Sequence, residues 1–124
     1  MTRFSEKVKL LFFVFIRNPL KYSLSGLSFA LRDRAFRLEL ILGIIFFPII
    51  VCFIIKSAIW QAILFCLYVQ ILIVELINSA IERAVDYIST NRHPLAKAIK
   101  DIASAAVFLT ICEFFVIFIL AVMC

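Results

Sequence analysis

Three apolar blocks, Leu40 to Ile55, Ala58 to Val74 and Ile102 to Cys124, decide most of what this chain can become. A helix needs roughly 20 residues to cross the hydrocarbon core of a bilayer. The third block reaches that length by itself, and the first two reach it with their flanks. Strands are the poor alternative, because three segments close no barrel and an open sheet edge leaves backbone groups unpaired in lipid. Of the 124 residues, 65% are hydrophobic and only 17% charged, with a mean hydropathy of +1.13, a balance that excludes an ordinary soluble domain.

The expected fold is all-α, a membrane protein of one domain over residues 1–124. Three membrane helices cover about 36–56, 58–89 and 95–123, and residues 1–35 form an amphipathic interfacial segment. Within that segment Ser5 to Ile16 reads as an interfacial helix, broken near Asn18-Pro19, because proline disfavours helical geometry at the residue before it. A second stretch, Lys21 to Arg32, continues along the surface. Lys56 and Ser57 leave almost no loop, so the first two spans are antiparallel neighbours, and Pro94 is placed to start the helix that leads into the third. The amino terminus has no long apolar core followed by a small-residue cleavage pattern, so the spans are expected to be retained. Cys52, Cys66, Cys112 and Cys124 are scattered through apolar stretches and are expected to be free thiols.

Lys and Arg outnumber Asp and Glu by 13 to 8, and eight of the basic residues precede residue 38. In a soluble chain that would suggest nucleic acid. Next to a membrane span it suggests anionic headgroups and the positive-inside bias, and no nucleic-acid partner is expected. One basic residue lies in the first loop and four lie between Arg83 and Lys100. The amino terminus and second loop are therefore expected on the cytoplasmic side and the carboxyl terminus on the opposite side.

The most informative stretch is VELINSAIERAVDYIS, Val74 to Ser89. Glu75, Asn78, Glu82 and Asp86 are spaced by three, four and four residues, which puts all four on one narrow face of a helix. Carboxylates within a membrane are rare without a partner, an aqueous cavity or a functional site. Aligned acids also repel, and a cation, a proton or a basic neighbour must relieve them. A magnesium ion held by Glu82 and a second carboxylate is one answer, since that ion takes few carboxylates and leaves positions for phosphate and water. The bland reading has Glu75 and Asn78 in interhelical hydrogen bonds, with Glu82 and Asp86 in the headgroup zone. Glu39 at the start of the first span and Glu113 deep in the third admit the same two readings. Lys100 and Asp101 stand where an ammonium could meet a phosphate, though adjacent opposite charges at an interface are common. His93 reads as a surface residue.

At these residues the chain resembles the prokaryotic diacylglycerol kinase family of small integral membrane lipid kinases, which includes undecaprenol kinases. The resemblance runs from about Tyr22 to Val107 and is carried by Glu75-Leu76-Ile77-Asn78-Ser79-Ala80-Ile81-Glu82, by Val85-Asp86, and by Ala98-Ile99-Lys100-Asp101-Ile102-Ala103-Ser104-Ala105-Ala106-Val107. It implies a homotrimer in the bacterial cytoplasmic membrane, with ATP and magnesium, that transfers a phosphoryl group to a lipid alcohol, diacylglycerol or undecaprenol. Carried over by motif, Glu75 is the general base, with Asn78 beside it holding a phosphate or the base. Glu82 is a magnesium ligand, Lys100 contacts phosphate and Asp101 lies on the nucleotide side. Asp33 occupies the place of the second metal carboxylate, where the family usually has glutamate, three residues before the Phe36-Arg37 pair; Glu39 is in reserve. Arg17 and Tyr22 are matched to nucleotide contacts, and Arg92 replaces a family aromatic. The competing class is a small oligomeric transporter or channel with Glu75 and Glu82 lining its path, which predicts flux rather than nucleotide turnover.

Overall fold

The computed structural model describes residues 13–88 and 93–124. The expected interfacial helix falls largely before residue 13, and Arg92 within 89–92, so both lie outside the described residues. A π-helical turn, Phe13–Arg17, leads directly into α1, Asn18–Ala30. The Asn18-Pro19 pair is thus not a break followed by a new segment at Lys21. Proline sits in the first turn of the helix, where its missing N–H would have had no helical acceptor anyway. Along α1, Leu20, Leu24 and Leu27 recur at three- and four-residue intervals and form an exposed stripe along one side. The chain divides into two units at Asp33, and this amino-terminal unit is described by itself.

The second unit holds three helices: α2, Arg34–Ile54, α3, Ala58–Ile88, and α4, Pro94–Met123. All three are long and apolar enough to cross a membrane. The chain is a multi-pass membrane protein with the three expected spans. The link between α2 and α3 is as short as Lys56 and Ser57 required, with only 55–57 outside helical geometry. The turn is tied by the Gln61 side chain, whose Nε2 donates to the Ile55 carbonyl at 2.7 Å. At the other end, His93 Nδ1 accepts the Leu95 N–H at 3.2 Å, so this histidine caps α4 just before Pro94.

Within lipid, apolar residues gain little by turning away from the solvent, and helices associate through close packing and interhelical hydrogen bonds. Two devices do this here. Near the α2–α3 turn, Val51, Ile55, Leu64 and Ala121 form a buried cluster, edged by Phe47, Trp60, Phe114, Ile117 and Phe118. Farther along, Tyr68 of α3 enters the side of α2: its Oη donates toward the carbonyls of Glu39 at 3.1 Å and Leu40 at 3.4 Å. The ring occupies the space that any side chain at Gly43 would fill, since a Cβ there would lie 1.8 Å from ring atoms of Tyr68. Small and β-branched residues of α4, Ala103 and Val107, are buried one turn apart.

Leu64 has no exposed surface. Its truncation to alanine leaves a cavity while the transfer term largely cancels in lipid. Leu64→Ala is therefore expected to cost about 1–2 kcal/mol, below the range for a water-soluble core, in reversible denaturation of the detergent-solubilised protein.

Candidate active site

The polar stripe begins where α3 is most enclosed. Glu75, Asn78 and Ser79 are the buried polar residues of the helix, with Glu75 only 5% exposed. Asn78 stands one turn after Glu75, and its Nδ2 donates to Glu75 Oε2 at 3.4 Å. The amide oxygen of Asn78 is buried with no hydrogen-bond partner among the described residues. Because a buried acceptor left unpaired costs about 1–3 kcal/mol, it points to a donor that arrives from elsewhere.

Glu39 of α2 belongs to the same place. Its backbone carbonyl is held by Tyr68, and its side chain is close enough to Glu75 for the two charges to interact. Its Oε2, like the Asn78 oxygen, is buried and has no hydrogen-bond partner among the described residues. Glu39 and Tyr68 are the polar members of an otherwise apolar cavity of about 320 Å³ among α2, α3 and α4, walled by Gly43, Phe47, Ile71 and Phe114 with their neighbours.

Moving along α3, Glu82 is half-buried and has no ion-pair partner among the described residues. Asp86, one turn further, is exposed and forms an ion pair with Lys100 of α4. Lys97 and Asp101 pair along α4 at 2.8 Å. Glu75, Asn78, Glu82, Lys100 and Asp101 therefore all lie on the two helices α3 and α4, and Asp86 joins them through its salt bridge. A smaller pocket of about 210 Å³ lies between the end of α3 and the start of α4, bounded by Val85, Ile88, His93, Leu95, Ala96 and Ile99.

Arg17, Tyr22 and Asp33 are in the amino-terminal unit. Tyr22 is 71% exposed, and the Arg17 guanidinium lies 5.1 Å from the Phe13 ring centroid in a cation–π contact. Among the described residues no three His, Cys, Asp or Glu side chains converge as a ready metal cage. A site of one or two carboxylates completed by phosphate oxygens and water, the habit of magnesium, would not form such a cage, and the unpaired carboxylate of Glu82 fits it. Glu113, the other in-span carboxylate, is exposed on α4.

The family model described as prokaryotic diacylglycerol kinase matches residues 21–122. The chain belongs to that family. The diacylglycerol kinase of Pseudomonas aeruginosa is 39% identical over 97 residues, 77% of this chain and 78% of the relative. That of Haemophilus influenzae is 38% identical over 96 residues, covering 77% and 80%. The Escherichia coli diacylglycerol kinase is 37% identical over 91 residues, covering 73% and 74%. Membership makes the protein a lipid kinase, a phosphotransferase whose work is done at a membrane.

Sequence reasoning missed two participants in this kinase. Tyr68 is the only hydroxyl-bearing residue between Gln61 and Gln70, and Gly43 is the only glycine in a span. Each lies within an apolar run that carries no local signal of its role, yet together they join α2 to α3 beside Glu39.

Asp86 and Lys100 keep 65% and 34% of their side-chain surface exposed, so the ion pair is screened by water. Asp86→Asn is expected to change the unfolding free energy by less than about 1 kcal/mol in detergent titration.

Proposed function

We propose that this kinase transfers the terminal phosphoryl group of ATP, with magnesium, to the hydroxyl of a membrane lipid alcohol, diacylglycerol in the first place, with Glu75 as general base. The observation that carries this reading is Glu75 itself, a carboxylate 5% exposed within a membrane span, beside an amide whose oxygen has no partner among the described residues. Such a carboxylate, shielded from water and steadied by the Asn78 N–H, is suited to receive a proton from a hydroxyl delivered through lipid. As the lipid oxygen bonds to the terminal phosphorus, the bond to the β-phosphate oxygen breaks and ADP leaves, while the hydroxyl proton passes to Glu75.

Phosphoryl transfer asks chiefly for alignment and charge neutralisation. Lys100 supplies a cation, and Asp86 holds its ammonium on the α3 side until phosphate competes for it. Glu82 would hold magnesium, with Asp33 as the second carboxylate and Glu39 in reserve. A magnesium ion held by these carboxylates would supply positive charge to offset that of the phosphates. Asp101, Arg17 and Tyr22 are assigned to the nucleotide, and Asn78 to phosphate as well as to the base. The working form is a homotrimer in the bacterial inner membrane. Its amino terminus and second loop are cytoplasmic, its carboxyl terminus is on the opposite side, and α1 lies along the surface on its leucine stripe. Family membership favours this over a carboxylate-lined transport path.

The test is transfer of labelled phosphate from ATP by purified protein in mixed micelles, with diacylglycerol and undecaprenol in parallel, with and without magnesium. Glu75→Gln is expected to lower turnover by at least about 100-fold on either lipid, because the amide cannot take the proton. Glu82→Gln should raise the magnesium concentration needed for half-maximal rate. Product from undecaprenol alone would reassign the substrate, and no product from well-assembled protein on either lipid would sink the reading.

A further inference from the structure

The contact between Tyr68 and Gly43 has no counterpart in the chemistry proposed so far. Tyr68 stands seven residues, two turns, before Glu75 on the same face of α3. Its hydroxyl reaches the backbone of Glu39, whose carboxylate lies within electrostatic reach of Glu75. It donates toward the Glu39 carbonyl at 3.1 Å and the Leu40 carbonyl at 3.4 Å. These oxygens are already helix acceptors, so the hydroxyl uses their remaining lone pairs and leaves α2 intact. Gly43 makes the approach possible, since a methyl group in that position would overlap the Tyr68 ring. The ring is supported by Phe47, whose centroid is 5.6 Å away.

A hydrogen bond to named carbonyls fixes the sliding of α2 against α3, and a glycine notch fixes how closely they approach. Packing of smooth aliphatic side chains would do neither so sharply, because lipid offers the same contacts. We propose that Tyr68 is a positioning residue that acts through Glu39: the Gly43 notch sets the distance of the Glu39 carboxylate from Glu75 and Asn78. It thereby sets the electrostatic field in which the proposed base works. This rests on the assignment of Glu75 as base. Glu39 is the acid placed to feel the notch, with its backbone oxygen on Tyr68 and its Oε2 buried without a partner among the described residues.

Tyr68→Phe removes the hydroxyl and keeps the ring. Three quantities are read on purified protein: steady-state turnover, the thermal midpoint, and the labelling of Glu39 by a hydrophobic carbodiimide, quantified by mass spectrometry against Glu113 as internal reference. The expected result is a fall in kcat of about tenfold with KM for ATP and for diacylglycerol within about twofold, the pattern of a misplaced group rather than lost binding. The ratio of Glu39 to Glu113 labelling should shift by at least about threefold, with an essentially unchanged midpoint. An unchanged kcat or an unchanged labelling ratio overturns the proposal, as does a kcat loss that only follows a lowered midpoint. Gly43→Ala approaches the notch from the other helix and should shift both readouts the same way. Adding Tyr68→Ala to Gly43→Ala relieves the overlap and should restore assembly without restoring kcat; recovery of wild-type kcat in that double variant would mean that packing alone matters. If the wild-type protein phosphorylates no lipid alcohol while Tyr68→Phe still shifts the labelling ratio, the kinase mechanism fails and the notch stands.

Discussion

A carboxylate held in hydrocarbon is costly, and the second unit is arranged around one of them, Glu75. Its position a little past the middle of α3 requires that neighbouring helices shield it and that something polar meet it. Asn78 supplies a donor from the next turn, Glu39 brings a second acid from α2, and α4 contributes the buried Ala103 and Val107. Two acids near one another are tolerable only if protons or cations share the place, a property that a structural span would avoid and a phosphoryl-transfer site can use.

The helices meet this demand with little polar material. Tyr68 ties α3 to the α2 backbone and Lys100 ties α4 to Asp86 of α3, while the far end of the unit is held by the Val51, Ile55, Leu64 and Ala121 cluster. The contrast is seen in the large cavity, which is apolar except where Glu39 and Tyr68 line it. A lipid chain and a hydroxyl have that same polarity profile, which supports the proposed class of substrate without choosing between a glyceride and a polyprenol.

Much of this was legible in the sequence because it rests on period and length. The apolar blocks announced three spans, the two-residue link between Lys56 and Ser57 announced an antiparallel pair, and the three-four-four spacing from Glu75 to Asp86 announced a polar face. What stayed hidden depends on pairs of residues far apart in the chain. Nothing local in Tyr68 says that its hydroxyl will rest on the α2 backbone 28 or 29 residues earlier, and nothing local in Gly43 says that a ring will fill its place. Lys100 was singled out for phosphate, yet its ion pair with Asp86 depends on how α4 returns beside α3. Pro19 is ambiguous in the other direction: proline reads as a break from its neighbours alone, but one residue into a helix it is a start.

The unequal helix lengths carry a consequence of their own. At about 1.5 Å per residue, the 21 residues of α2 match the roughly 30 Å of hydrocarbon, whereas the 31 of α3 and 30 of α4 measure about 45 Å. With only three residues linking α2 to α3, the surplus of those two helices cannot be shared between the faces and must rise on one of them. The second unit is therefore one-sided. It is nearly flush with the bilayer at the α2–α3 turn and carries a two-helix pedestal of about 15 Å on the other face, so on this unit a water-borne molecule finds a foothold there and almost none on the flush side.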